Sequence, residues 1–237
     1  MMQRLQFLYT RYIFLVCCLS SIFFTACGIE SFVYLEKPQR SAHDPTNRDD
    51  VSAKYCEFTT ADAWNTANAT GYFQGTEIYY RIYEHESDCT SDRAAVSRYN
   101  ENNPSSVAQY LQDTKKYNRL TTSNFTRRPL IGSSSSNITV RFRLQDYGGT
   151  TDPAQLVAGG SSLGIPYRGN NISSDRRRFD RQNITTTDED VQKASSSSTD
   201  AFWWINFYAV SYGYDTAFKS LYSSLEPLGS IKLEKNP

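Results

Sequence analysis

Four stretches of the 237-residue chain hold residue types that could do chemistry. Gly160-Ser161-Ser162-Leu163-Gly164 fits the G-x-S-x-G spacing of a nucleophile elbow, which needs a helix directly after the serine and a histidine later in the chain. Ile165-Pro166 follows instead, and the last histidine is His85, so the stretch reads as a glycine-serine loop. Glu84-His85-Glu86-Ser87-Asp88 gathers metal-donor types. On a strand Glu84 and Glu86 point one way and His85 the other, so a local site exists only if the strand ends at Glu84. Asp188-Glu189-Asp190 lacks the alternating oxygen ligands and central glycine of a calcium loop and reads as solvated. DRRRFDRQN, 175–183, sets four arginines around Phe179. It could bind anions or anionic glycans, but Asp175 and Asp180 offset part of its charge, and an exposed loop is the plainer reading. These stretches supply no catalytic residue, no metal ligand set and no cofactor motif.

The cysteines say more about place than about reaction. MMQRLQFLYTRY carries Arg4 and Arg11 and no acid, and an uncharged apolar run follows from Ile13 to Phe24. That is the layout of a secretory signal peptide, and it falls short of the roughly 20 residues that span a bilayer. The small residues Thr25 and Ala26 precede Cys27 and Gly28, while Phe24 stands at the −3 position, which ordinary signal peptidase prefers small. The segment resembles a bacterial lipobox: an apolar residue, two small ones, then cysteine. The resemblance implies that Cys27 takes a diacylglycerol thioether, is freed by lipoprotein signal peptidase and is usually N-acylated. Phe24 departs from the usual leucine and suits the looser lipoboxes of spirochaetes. The competing reading groups Cys27 with Cys17 and Cys18 in an uncleaved anchor helix; the short core and its abrupt end at Gly28 and Glu30 favour lipidation. Two or more acyl chains hold a protein on a membrane where one binds only marginally.

CGIESFVYLEKP, Cys27 to Pro38, further resembles the start of a group of treponemal lipoproteins, which follow the lipid cysteine with glycine, an aromatic patch and proline. The resemblance covers about a dozen residues. It implies a lipid-anchored protein on a bacterial membrane, periplasmic or at the surface, with the outer membrane favoured over the inner. The expected organisation is a signal peptide over 1–26, a lipidated cysteine and tether over 27–52, and one domain over 53–237. Cys56 and Cys89 are then the two thiols left in an oxidising compartment, and a Cys56–Cys89 disulfide is expected; two separate buried thiols are the alternative.

Composition bounds the domain. The chain balances 25 basic against 25 acidic residues, which gives no electrostatic reason to expect a nucleic-acid partner. Its 17 Tyr, 13 Phe and 3 Trp favour strands, and 2 Met offer little support for a helical bundle. GYFQGTEIYYRIYEHE, 71–86, reads as a strand with few purely polar positions on either face. Residues 137–144 alternate, with Ile138, Val140, Phe142 and Leu144 inward. In AFWWINFYAVSYGYD, Phe202, Trp204, Tyr208, Val210 and Tyr212 share one face and Trp203, Ile205, Phe207 and Ala209 the other. A strand apolar on both faces belongs in the middle of a covered sheet. A helical insert is expected at about 91–117, with Asn103 and Pro104 opening its second helix. The whole predicts a mainly β fold, an antiparallel β-sandwich whose last two strands resemble those of immunoglobulin or fibronectin type III domains, although the Cys–Trp–Cys framework of antibody domains is missing. The function expected is structural or interactive rather than enzymatic, with the membrane as partner through the anchor. The alternative is a module for a glycan or host ligand, if aromatic side chains stand exposed in a row.

Overall fold

The computed structural model describes residues 33–146, 153–169, 171–194 and 200–235, so Cys27 and the apolar segment before it lie outside the described residues. Its strands, in chain order, are β1 (Gln39–Arg40), β2 (Cys56–Thr59), β3 (Phe73–Tyr83), β4 (Asn118–Arg119), β5 (Thr121–Thr122), β6 (Ile131–Gly132), β7 (Thr139–Arg143), β8 (Gln155–Ala158), β9 (Ser161–Gly164), β10 (Pro166–Tyr167), β11 (Val191–Gln192), β12 (Phe202–Tyr214), β13 (Ser220–Tyr222) and β14 (Glu226–Glu234). The helices are α1 (Asp62–Asn68), α2 (Glu86–Asn102) and α3 (Val107–Gln109), the last continuing as a wider turn over Tyr110–Thr114.

One antiparallel sheet runs β1-β2-β7-β8-β9. The second is built on β3 and β12, with β13 and β14 beside β12 and the short β4, β6 and β11 on β3. Every pairing in it is antiparallel except β11 with β3. The fold is therefore mainly β, with antiparallel sheets sharing one core, as a sandwich requires. Phe58, Val140, Phe142 and Leu156 come to that core from the first sheet. Ile78, Tyr80, Ile82, Trp203, Ile205 and Phe207 come from the second.

The two-faced pattern of β12 is carried into the structure. Its odd-numbered residues from Trp203 to Ala209 enter the shared core. Tyr208 and Val210 pack on the other side against Val96 of α2 and Val107 of α3, and Trp204 packs there with Tyr83 and Cys89. The helical insert supplies this second cover. His85 opens α2 as its cap, accepting the Ser87 N–H, and Glu86 and Asp88 place negative charge at the positive end of the helix dipole. Asn103 closes α2, its N–H donating to Tyr99 O, instead of opening the next helix, which starts only at Val107.

The expected Cys56–Cys89 bridge is corrected. Both thiols are free and buried. Cys56 sits between the sheets and Cys89 lies on the helix side of the second sheet, against Tyr83 and Trp204, so a layer of sheet stands between them. Burial pushes the Cys56 thiol far up and the Cys89 thiol up to about 12, which keeps both protonated and unreactive. The glycine-serine stretch is corrected too. Gly159 and Gly160, both left-handed (φ +55° and +81°), make the two-residue turn between β8 and β9, and Ser161 to Gly164 is the edge strand itself.

The segment expected as a tether up to residue 52 instead lies along the domain from Tyr34 onward, within the same compact unit. Leu35 is buried. The Glu36 carbonyl accepts from Ser211 Oγ at 2.7 Å, Lys37 pairs with Glu226 at 2.7 Å, and Thr46 Oγ1 accepts the Ser230 N–H at 3.1 Å. Farther on, Asp49 pairs with Lys232. Gly229, at φ +94°, permits this close passage: a Cβ there would stand 2.8 Å from Asp44 Oδ1 and 2.9 Å from Pro45 Cδ.

Candidate functional site

The lead-in ends at a cleft of about 460 Å³ at the end of the sandwich where β12 begins and β14 finishes. Each wall follows from an element ending there. Leu144, Gln145 and Asp146 follow β7, Ala154 precedes β8, and Leu233 and Glu234 close β14. Val51 stands on a short helical turn that Asp50 opens, its carboxylate accepting the Ser52 N–H at 2.9 Å. Arg143 ties that turn to β7, donating to Val51 O at 3.0 Å and Ser52 O at 2.7 Å. Residues 178–182 form the remaining wall.

That last wall is pinned from below. Phe179 is fully buried, edge-on to Tyr80 at 4.9 Å. Arg168, also fully buried, donates through Nε to Asp190 Oδ2 at 2.8 Å, and its Nη2 reaches Asp190 Oδ1 and, at 2.9 Å, Asp188 Oδ2. Its Nη1 donates to Asn183 O at 2.8 Å. Tyr80 Oη donates to Asp190 at 2.7 Å and accepts the Gly169 N–H at 2.7 Å. A buried guanidinium between two carboxylates is tolerable only when its donors are met, as they are here. Burial alone would lower the pKa of Arg168, but the two aspartates outweigh it and raise it. For Asp188, burial works upward, and hydrogen bonds from Thr185 and Arg168 prevail to hold the carboxyl below its ordinary value.

The floor of the cleft is apolar, from Leu144, Ile165, Phe179 and Leu233. Its rim interleaves acids (Asp49, Asp146, Asp180, Glu234) with bases (Arg178, Arg181), and Lys54 lies deeper. Lys54 is nearly buried; burial, and then the Lys232 charge, lower its pKa, opposed by Glu234 and Asp49. A floor that takes an apolar side chain beneath a rim that pairs both signs of charge suits a polypeptide segment or another zwitterionic ligand.

Glu84, His85, Glu86 and Asp88 do not converge: β3 ends at Tyr83, Glu84 accepts the Ala194 N–H, and His85 caps α2. Among the described residues no cluster of three His, Cys, Asp or Glu could hold a metal. Asp188-Glu189-Asp190, expected as solvated, is corrected, because Asp190 is buried under Arg168 and only Glu189 is exposed. The 175–183 loop is likewise half inside, with Phe179 in the core and Arg176 paired with Asp188. No residue beside Arg168 in the sequence marks it as buried. The signal that could have found it is the i, i+2 spacing of Asp188 and Asp190, which lets both carboxylates meet one guanidinium. Comparison with protein-family models, with curated proteins and with solved structures finds no match to the chain.

Proposed function

We propose that the chain is a lipid-anchored, extracytoplasmic interaction module, of the kind found on spirochaete membranes, which holds its charged cleft outward to a protein ligand. The observation that carries this reading is the path of the lead-in. It begins beside Ser211, near one end of the 13-residue β12, and finishes at the cleft beside the other end. A strand of that length spans roughly 40 Å. An acylated Cys27 thus secures the end of the domain opposite the cleft.

Binding, rather than catalysis, is the role, and a polypeptide is favoured over a glycan as ligand. Trp203 and Trp204, which a sugar platform would need exposed, are buried on opposite faces of β12. Tyr34 and Trp64 are exposed but stand edge to face, 5.6 Å apart at 83°, and so form no flat platform. An immunoglobulin-type sandwich is the finer fold we infer. The antiparallel ladders β1-β2-β7 and β3-β12-β14 match strands A-B-E and C-F-G in chain order, with β8 following E where strand D would precede it.

The anchor is tested in a lipidating bacterial host by intact mass and detergent partitioning. Wild type is expected to lose residues 1–26, gain the mass of acyl chains and enter the detergent phase. Cys27→Ala is expected to stay unprocessed and unacylated. A Cys27→Ala chain with the wild-type mature mass overturns the reading.

A further inference from the structure

The end of the domain away from the cleft is studded with aromatic side chains. Phe218 is 85 % exposed, Tyr34 56 %, Trp64 40 % and Tyr214 37 %. Their placement at one end follows from the hydrogen bonds around the close of β12. Asn65, next to Trp64, donates to Ser211 Oγ at 3.1 Å and accepts the Glu36 N–H at 2.7 Å, which seats Tyr34 beside Trp64. Tyr214 donates its N–H to Tyr72 O at 2.9 Å, just past the end of α1, and Phe218 tips the turn between β12 and β13.

That turn is built to hold the ring outward. Phe218 sits at φ +59°, a region that bulky side chains rarely occupy and that costs free energy to maintain. The Asp215 carboxylate accepts the Ala217 and Lys219 N–H groups, each at 2.8 Å, and Asp215 O accepts the Phe218 N–H at 3.0 Å. With these donors met inside the turn, the tip can leave water without stranding them.

We infer that this aromatic end rests in the headgroup layer of the membrane, as a second attachment beside the lipid. The inference rests on the lipid-anchor reading. Tyr34 lies seven residues from Cys27, a stretch that reaches at most about 25 Å, shorter than β12 is long. The end that carries Tyr34 is thus held at the bilayer. Tyr and Trp are the side chains whose apolar body and polar tip suit the interface between lipid and water, and Phe218 supplies an apolar wedge. Lys219, exposed next to it, complements lipid phosphates.

The test uses the acylated mature protein reconstituted in phosphatidylcholine vesicles, with and without brominated acyl chains. Trp203 and Trp204 are buried at the start of β12, far from this end, so bromolipid quenching should fall on Trp64. Wild type should lose the Trp64 emission in brominated vesicles. Trp64→Phe should abolish that loss, and Phe218→Trp in the Trp64→Phe background should restore it. Val51→Trp in the same background, at the cleft, should not be quenched. Acylated protein whose Trp64 and Phe218→Trp emissions are untouched overturns the membrane contact while leaving the anchor standing. A chain without acyl mass overturns both. A detergent-purified dimer that Phe218→Asp converts to monomer would assign the aromatic end to a second copy instead of lipid.

Discussion

The two faces of β12 are buried to similar degrees by different means. Toward the first sheet, Trp203, Ile205, Phe207 and Ala209 meet other apolar side chains over an extended core. Toward the helices the same strand presents Trp204, Asn206 and Tyr208, and a polar chain runs through the packing. Asn206 donates to Tyr117 Oη at 2.8 Å. Tyr83 Oη donates to Asp92 at 2.5 Å, and Lys115 closes on Asp92 at 2.6 Å. Close packing stabilises the first face through area and shape. The second adds a chain of side-chain hydrogen bonds through Asn206, Tyr117, Tyr83 and Asp92, which fixes the helical cover in one position. A strand with one apolar face and one hydrogen-bonded face orients its partners differently on each side.

Cutting the dry face should produce the largest effect. Phe207 is fully buried among Tyr80, Phe142 and Phe179. Phe207→Ala should cost near the top of the range of about 3–5 kcal/mol for such truncations, and a typical domain has only about 5–15 kcal/mol to lose. Trp204→Ala should cost less, because its cluster holds only Tyr83, Cys89 and Phe202 and lies under a helix that can settle into the gap. Urea melts of the two variants check the order. Equal midpoints would mean that the faces do not differ as described.

Arg168→Met comes next. It keeps the length of the side chain and strands Asp190 in the core, for a loss of about 3 kcal/mol, the lower end for breaking a buried pair, since Tyr80 still donates to that carboxylate. Loosening should spread to residues 178–182, the wall that Arg168 supports from below. Hydrogen exchange at Phe179 to Asn183 should therefore rise more than at β2. Unchanged exchange there would show that Phe179 alone holds the wall.

How much of this was legible depended on whether burial leaves its mark on neighbouring residues. β12 could be read because apolar and aromatic residues stand on both faces from Phe202 to Tyr212, interrupted only by Asn206 and Ser211. β7 could be read because apolar and polar residues alternate from Ile138 onward, although its ladder stops at Arg143, whose side chain turns to hold Val51 and Ser52. The lead-in looked like a tether because its fastenings are polar and lie far along the chain, at Ser211, Glu226 and Ser230. Arg168 fits the same account: an arginine in a loop gives no local sign that two aspartates 20 and 22 residues on will enclose it. The cleft is made of strand ends brought together from across the chain, which no window of sequence contains. The thiols failed for another reason. Two cysteines suit a bridge and a pair of buried thiols equally well, and only the layer between them decides.

The smallest expected effect is acid dependence, and it separates two aspartates of opposite sign. In Asp188 burial works upward, but Thr185 and Arg168 win, so its folded pKa lies below the ordinary aspartate value of about 3.9. The stability it contributes is fully present above that value and is lost as pH falls through the lower, folded one. In Asp62 burial wins over the hydrogen bonds from Ser134 and Thr60, and its folded pKa is raised. Its ionised form burdens the native state as pH rises past about 3.9, and the burden is complete above the folded value. Asp188→Asn should therefore lower stability at pH 7 and flatten the acid limb below about pH 4. Asp62→Asn, which keeps an oxygen for the Ser134 N–H, should lose less at pH 7, because the cost of a buried charge disappears with it. Urea midpoints for wild type and both variants at pH 7, 5, 4 and 3 would show it. If Asp188→Asn keeps the full wild-type acid slope, the carboxylate beside Arg168 is not what acid removes.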